Sequence, residues 1–425
     1  MLKKFYYRIN KSEFISNFKI LAFGTFISQI FLLCSTPFIT RLYSPEVFGI
    51  FALFTSITAV FAPIVCGRYN IAMVVVKKNH EGNTLFNLSL ILSLVFCLVL
   101  LLIFFFGETS LKKLLNAEKL NFWWFLIPVT IFLLSCRMII KSYLNRIKNY
   151  SLISKSEIFF SLIKIIILLV LGFLGYSFNG IFIAEIISLL AVITLLIFLI
   201  KKIIKNNFLI KKKDVFAIAK KYKEFPIYQS TSTLINTIRV ALPIFFLTKY
   251  FNSDIVGYYS IILMSIFYPL SFISKSISMI HLRKVAELIH TRSNVTNYIK
   301  KLTYILICII LVPVFIILIF GQEIFSFVLG EQWITAGNLA SILIVGLGFQ
   351  FVISTLSPVF SSTGHLKISS LWNFGSFIFS LSLMLYFIPK LNIESVMYLL
   401  LWINIIIYSI YYILIIFAIK NPKTI

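Results

Sequence analysis

Apolar residues run through this chain in blocks of about twenty, separated by short polar stretches in which lysine and arginine collect. A helical block of that length matches the hydrocarbon core of a bilayer, since a helix rises about 1.5 Å per residue across a core of about 30 Å. The pattern predicts spans near 18–40, 47–66, 84–106, 120–142, 156–175 and 180–200. A second set falls near 226–248, 255–280, 302–320, 335–358, 368–389 and 395–418. The expected fold is therefore an all-α membrane protein of 12 transmembrane helices. Its first block follows a basic stretch, MLKKFYYRINKSEF, and is too long for a signal-peptide core. No small-residue cleavage site follows it, so it is expected to stay as the first span.

Composition fits this reading: 60% of residues are hydrophobic, 12% are charged, and 45 are Phe. Mean hydropathy is +0.99. A soluble domain of this length has no means of hiding so much apolar surface, whereas lipid solvates it directly. The formal net charge of +25 does not point to nucleic acid, because the basic residues punctuate the spans instead of forming one face. Of the 39 Lys and Arg, 31 fall on one side of the predicted membrane, 6 on the other and 2, Lys164 and Arg239, within spans. Five of the 31 are counted near the loop between the fourth and fifth spans. The positive-inside rule then puts both termini in the cytoplasm. The basic stretch KKKDVFAIAKKYKEF (211–225) sets Val215, Ile218, Ala219 and Tyr222 on one helical stripe. Two readings stay open for it: an interfacial helix on anionic lipid heads, or a solvated connector.

The run TRLYSPEVFG (40–49) returns as TKYFNSDIVG (248–257), shifted by 208 positions. The same shift sets Thr25 and Ser28 opposite Thr233 and Asn236. Because six spans separate the copies, both halves insert with one orientation, which implies a parallel pseudo-repeat about an axis along the membrane normal. The domain plan is a six-helix lobe over 1–200, a basic interfacial linker over 201–225 and a second six-helix lobe over 226–425. Two such bundles facing a central cavity make a transporter architecture.

A charge at mid-membrane costs about 2.5–3.5 kcal/mol, so each one needs a reason. Arg239 shares a stripe of the seventh span with Gln229, Ser232, Thr233 and Asn236, at spacings of three or four residues. That face suits an anionic, hydroxyl-rich substrate, since guanidinium grips phosphate through paired hydrogen bonds. The competing reading is an Arg that snorkels to the interface. Lys164 shares a face with Glu157 and Ser161 in the fifth span, and Glu185 lies at similar depth in the sixth. Lys164 and Glu185 are either an ion pair that ties two helices or a substrate and ion-coupling set. Arg68 stands at the edge of the second span, as a phosphate contact or as one more positive-inside residue. Thr25, Ser28 and Gln29 are candidate sugar contacts, or simply helix-packing groups.

Some chemistry is missing. The chain has two Asp, Asp214 and Asp254, so it carries no Asp-x-Asp metal site, and no Walker loop, GxGxxG or HExxH occurs. His80, His281, His290 and His365 lack ligand spacing, and the five Cys show neither CxxC nor Cys/His spacing. No outer loop exceeds about fifteen residues by these boundaries. No enzyme, cofactor, metal or nucleic-acid partner is expected.

The runs CSTPFITRLYSPEVFGIFALF (34–54) and GRYNIAMVV (67–75) resemble the opening of bacterial O-antigen and capsule flippases, and FVISTLSPVFSSTGHLKISSLWN (351–373) is similar to their tenth-to-eleventh span junction. These Wzx-type proteins form the polysaccharide transporter branch of the multidrug/oligosaccharidyl-lipid/polysaccharide exporter superfamily. The resemblance implies a MATE-like fold in the inner membrane. It also implies translocation of undecaprenyl-pyrophosphate-linked oligosaccharide, an O-antigen or capsule repeat unit, from cytoplasmic to periplasmic leaflet by alternating access. It implies a cationic cavity, for which Arg239, Lys164 and Arg68 are the candidates here. Ion coupling, common in the superfamily, would fall to Glu185, and a polysaccharide polymerase and chain-length regulator are the implied partners. The alternatives are a multidrug or small-molecule exporter of the same fold, and an integral-membrane polysaccharide polymerase.

Overall fold

The computed structural model describes residues 2–203, 212–291 and 294–421, and these residues contain helices and connecting turns but no strand. The first half runs α1 (Leu2–Leu42), α2 (Pro45–Phe61), α3 (Tyr69–Val75), α4 (Asn79–Phe106), α5 (Glu108–Leu115), α6 (Trp123–Arg146), α7 (Tyr150–Phe173) and α8 (Ser177–Ile203). The chain continues with α9 (Lys212–Lys221), α10 (Thr231–Tyr250), α11 (Ser253–Ile262), α12 (Tyr268–His290) and α13 (Val295–Leu329). The chain ends with α14 (Ile334–Leu356), α15 (Val359–Ser362), α16 (Leu366–Phe387) and α17 (Ile393–Lys420). Among the described residues, 11 helical stretches are long and apolar enough to cross a membrane, and α2, with 17 residues, stands in place of the expected second span. That span ends at Phe61, short of the expected boundary. Turns then carry the chain through Gly67 and Arg68, both with positive φ, into α3. The ninth span is longer than expected, 35 residues with a kink at Phe320.

Asparagine starts four of these helices. The Oδ1 atoms of Asn149, Asn252, Asn294 and Asn392 accept hydrogen bonds from the amides of Leu152, Ile255, Asn297 and Ser395 at 3.0–3.1 Å. Each satisfies a backbone donor that the helix leaves open at its first turn, which matters most where no water competes.

The helices form two compact units, residues 1–43 with 53–237 and residues 44–52 with 238–425, so the boundary falls inside α2 and α10. In the first unit, α1 packs against α7 where glycine lets the backbones approach: a Cβ on Gly24 would stand 2.9 Å from Ser154 Cα, and one on Gly172 would stand 2.9 Å from Leu42 Cδ1. Buried Tyr43 closes that interface by donating its hydroxyl to the Leu168 carbonyl at 2.7 Å. A second cluster joins α3, α4, α6, α8 and α9 around Met73, Leu85, Ile139, Leu144 and Leu196, all at most 2% exposed. Arg146 ties the basic end of this cluster together. Its guanidinium donates to the carbonyls of Met73 (2.8 Å), Val76 and Lys78 (2.9 Å).

In the second unit α14 is the central helix. Of its most apolar stretch 67% is buried, against 11% for α13, which faces outward along most of its length. The two meet at Gly321 and Gly337, where a Cβ on Gly321 would stand 2.9 Å from the Gly337 carbonyl oxygen.

The repeated motif packs on itself within the second unit. A Cβ on Gly49 would collide with the Ser253 carbonyl and stand 2.9 Å from Gly257 N, while one on Gly257 would collide with the Pro45 carbonyl. Equivalent glycines of the two copies therefore each face the other copy's helix start, as a two-fold relation requires. Trp333, fully buried, meets Phe48 of one copy edge-on at 5.2 Å and Tyr258, next to the other, at 6.1 Å.

The stripe of the basic stretch is docked, not turned to lipid. Ile218 is buried in the first unit, with Val215, Ala219 and Tyr222 packed beside it. Lys221 and Tyr222 donate to Glu81 at the start of α4 at 2.8 and 2.7 Å, and Tyr69 donates to the Ala219 carbonyl at 3.0 Å. The bond to Glu81 raises the Lys221 ammonium above its ordinary pKa.

Candidate functional site

Arg239 lies on α10 four residues before Pro243. A proline inside a helix has no amide hydrogen, so the Arg239 carbonyl receives no bond from position 243 and the helix is weakened at that turn. The turn opens onto a cavity of about 100 Å³ inside the second unit, lined among others by Arg239, Pro243, Tyr259, Tyr268, Gln350 and Asn404. Its far wall includes Leu263 and Phe267, the two ends of a π-helical turn between α11 and α12. Such wide turns free backbone groups and recur at functional sites. The Arg239 Nε is buried without a hydrogen-bond partner. Among the described residues that line the cavity, Arg239 is the one cation and there is no carboxylate. A buried donor left open in this way costs about 1–3 kcal/mol, more for a charged group, and an anion would relieve it.

The remaining members of the polar stripe do not line this cavity. Asn236 is exposed, as are Gln229 and Ser232, while Thr233 is half-buried and its carbonyl accepts the Thr237 hydroxyl at 3.0 Å. On α1, Ser28 is buried and its hydroxyl is spent on the Gly24 carbonyl at 2.9 Å; Thr25 and Gln29 are half-buried. The Ser28 bond lies within α1 itself, one turn back.

Arg68 holds a left-handed backbone, φ 56°, which a side chain with a Cβ adopts at a cost. Strain of this kind persists only where the surroundings impose it. Here Asn70, 1% exposed, fixes the turn by donating to Ser142 at 3.2 Å and accepting from Cys66 at 3.3 Å. The guanidinium is half-buried, its Nε has no partner, and burial lowers its pKa from the usual value.

Lys164 and Glu185 do meet, Nζ to Oε2 at 2.5 Å, joining α7 to α8. Glu185 is 8% exposed, and the pair lies about 12–13 Å from the hairpin ends of both helices. The Glu157 carboxylate, by contrast, turns away from Lys164 to a cluster that the sequence reading missed. Arg137 and Lys141, one turn apart on α6, reach the two Glu157 oxygens at 3.0 and 2.7 Å. The Arg137 guanidinium also lies 3.8 Å from the centre of the Phe160 ring, and its Nε is another buried donor without a partner. The positive-inside count assigns both Arg137 and Lys141 to the basic loop, yet both lie on α6, and Arg137 sits nine residues inside its end, about 13 Å in. Its place within the expected span 120–142 was the available signal. Glu185 is thus accompanied by a second acid well inside a span, Glu157. No group of three or more His, Cys, Asp or Glu fit to hold a metal occurs among the described residues.

Several solved structures share this arrangement of helices. A lipid II flippase, MurJ, in an inward closed conformation aligns with 94% of this chain and 87% of its own, with a TM-score of 0.73 and 16% identity. An inward-facing multidrug resistance MATE family transporter of the MOP superfamily aligns with 95% and 94%, with a TM-score of 0.62 and 16% identity. A MOP superfamily transporter from Pyrococcus furiosus, whose binding pocket is described as reversed in polarity, aligns with 96% and 94%, with a TM-score of 0.56 and 14% identity. At these identities the likeness is one of fold, and the fold is that of flippases and transporters. No curated protein matches the chain by sequence. Residues 38–338, from the first copy of the repeated motif to the glycine contact on α14, do match a family as a whole. This multi-pass membrane chain belongs to the polysaccharide biosynthesis protein family.

Proposed function

We propose that this protein is a flippase that moves an undecaprenyl-pyrophosphate-linked oligosaccharide, an O-antigen or capsule repeat unit, from the cytoplasmic to the periplasmic leaflet by alternating access. The observation that carries the reading is Arg239, a guanidinium with a buried unpartnered donor at a cavity without a carboxylate. That chemistry selects an anion such as a pyrophosphate. Family membership and the fold shared with a lipid II flippase support the same reading. Arg68 and Arg137, each with a free buried Nε, supply further positive charge in the first unit. Tyr259, Tyr268, Gln350 and Asn404 offer ring faces and amides suited to sugar near Arg239.

In this reading the chain lies in the bacterial inner membrane with both termini cytoplasmic, built as lobes over 1–200 and 226–425, and hands its cargo to a polymerase and chain-length regulator. Lys164 holds Glu185 in reserve for ion coupling, and Thr25, Gln29, Thr233 and Asn236 are secondary sugar contacts. A multidrug exporter of organic cations fits less well, because such cargo needs an acid where this cavity has Arg239.

The test is translocation of labelled lipid-linked oligosaccharide in proteoliposomes by Arg239→Ala and Arg239→Lys. Loss of one charge-assisted grip worth about 1.5–3 kcal/mol lowers the rate by about 10–150-fold in the first variant. The lysine variant keeps the charge but not the fork, and falls between. Wild-type rates in Arg239→Ala protein that inserts normally would end the proposal.

A further inference from the structure

The docking of α9 leaves one flank of that helix with no partner among the described residues. The stripe around Ile218 faces the unit's core, and Glu81 and the Tyr69 hydroxyl fix the helix there. On the remaining surface Phe216 is 76% exposed, Lys220 and Lys223 are exposed, and the Lys221 side chain is 54% exposed even while it binds Glu81. Four residues separate Phe216 from Lys220, so ring and ammonium sit one turn apart on the same side. A large aromatic left almost bare beside lysines is poorly placed in water and well placed at a membrane surface, where the ring reaches the acyl boundary and the amines reach phosphates. The position along the chain agrees. The helix is clipped to the first turn of one span, α4, and ends four residues before the next begins at Phe225. It therefore lies at the level of the lipid head groups, at the end where basic residues collect.

We propose that this flank of α9, with the turn that follows it, is a docking surface for anionic phospholipid of the cytoplasmic leaflet, with Phe216 inserted at the acyl boundary and Lys220 and, from the turn, Lys223 paired with head-group phosphates. Charge complementarity decides the occupant: beside the exposed ring, the exposed cations Lys220, Lys221 and Lys223 outnumber the one exposed acid, Glu224, and this positive balance suits an anionic bilayer surface. Because Glu81 ties the helix to α4, the lipid contact is rigidly joined to the first unit and does not hang on a loose linker.

The experiment uses the full chain in nanodiscs of phosphatidylcholine mixed with phosphatidylglycerol. The ratio of phosphatidylglycerol to phosphatidylcholine retained on the released protein is read by native mass spectrometry. Each lysine near an anionic surface contributes about a fivefold preference, so Lys220→Gln lowers the ratio about fivefold and the double variant with Lys223→Gln about twenty-five-fold. The preference also weakens as salt rises. Both lysines are exposed, so the melting temperature in pure phosphatidylcholine discs stays at the wild-type value. In a second arm, Phe216→Trp adds a fluorescence component that lipid brominated on its acyl chains quenches, beyond the quenching of the wild-type tryptophans. An unchanged lipid ratio in the double variant, or an added tryptophan that brominated lipid does not quench, overturns the proposal.

Discussion

Replacing Lys164 with alanine tests what the Lys164–Glu185 contact does. The ammonium and carboxylate lie 2.5 Å apart, with side chains 20% and 10% exposed. Removing one partner of a buried pair costs about 3–5 kcal/mol, chiefly because the other charge stays buried without compensation. Since lysine keeps a fifth of its surface, the lower end applies, about 3 kcal/mol. At about 2–4 °C per kcal/mol for a long chain, Lys164→Ala melts about 6–12 °C below wild type. Glu185→Ala strands the ammonium and falls similarly. The double alanine variant recovers much of the loss because neither charge remains, and the swap Lys164→Glu with Glu185→Lys recovers most of it. The assay is thermal unfolding of the purified protein in nanodiscs, followed by tryptophan fluorescence and paired with translocation measurements. A single variant that melts with wild type, or a swap no better than the singles, would refute the reasoning. Restored melting with transport still lost would instead give Glu185 a part in coupling.

Gly257→Ala puts a methyl group into the Pro45 carbonyl and lowers stability by about 1–3 kcal/mol, visible as a drop in melting temperature. Gly49→Ala does the same, and the two together cost less than their sum because one separation of the helices relieves both. Arg68→Gly removes the left-handed strain, so the protein gains about 1 kcal/mol in chemical denaturation while translocation falls; equal loss of stability in Arg68→Gly and Arg68→Ala would contradict the strain argument. Arg146→Gln strips the carbonyls of Met73, Val76 and Lys78 of their shared donor and destabilises by about 1–3 kcal/mol, read by the same melts and by faster amide exchange in residues 73–79.

Membrane class, the 11 long spans and the repeated motif were legible in the residues, because a lipid solvent imposes length and hydropathy on every crossing helix; α2, with 17 residues, fell short of the expected second span. The matched spacing from Thr40 to Gly49 and from Thr248 to Gly257 carries the duplication in the residues themselves. Which partners the charged side chains choose was not legible. Glu157 shares a helical stripe with Lys164, yet it pairs across to Arg137 and Lys141, since the distance between α6 and α7 and the rotation of each helix decide that contact. The stripe of α9 likewise reads the same whether it meets lipid or protein, and only the arrangement of α3 and α4 beneath it made the answer protein. The Arg239 cavity depends on the proline turn, the π-helical turn and residues from α14 to α17 arriving together. Local pattern set the helices and their insertion, because each span meets its solvent alone; neighbour choice is a property of the packed unit, where side chains far apart in sequence compete for the same few buried partners.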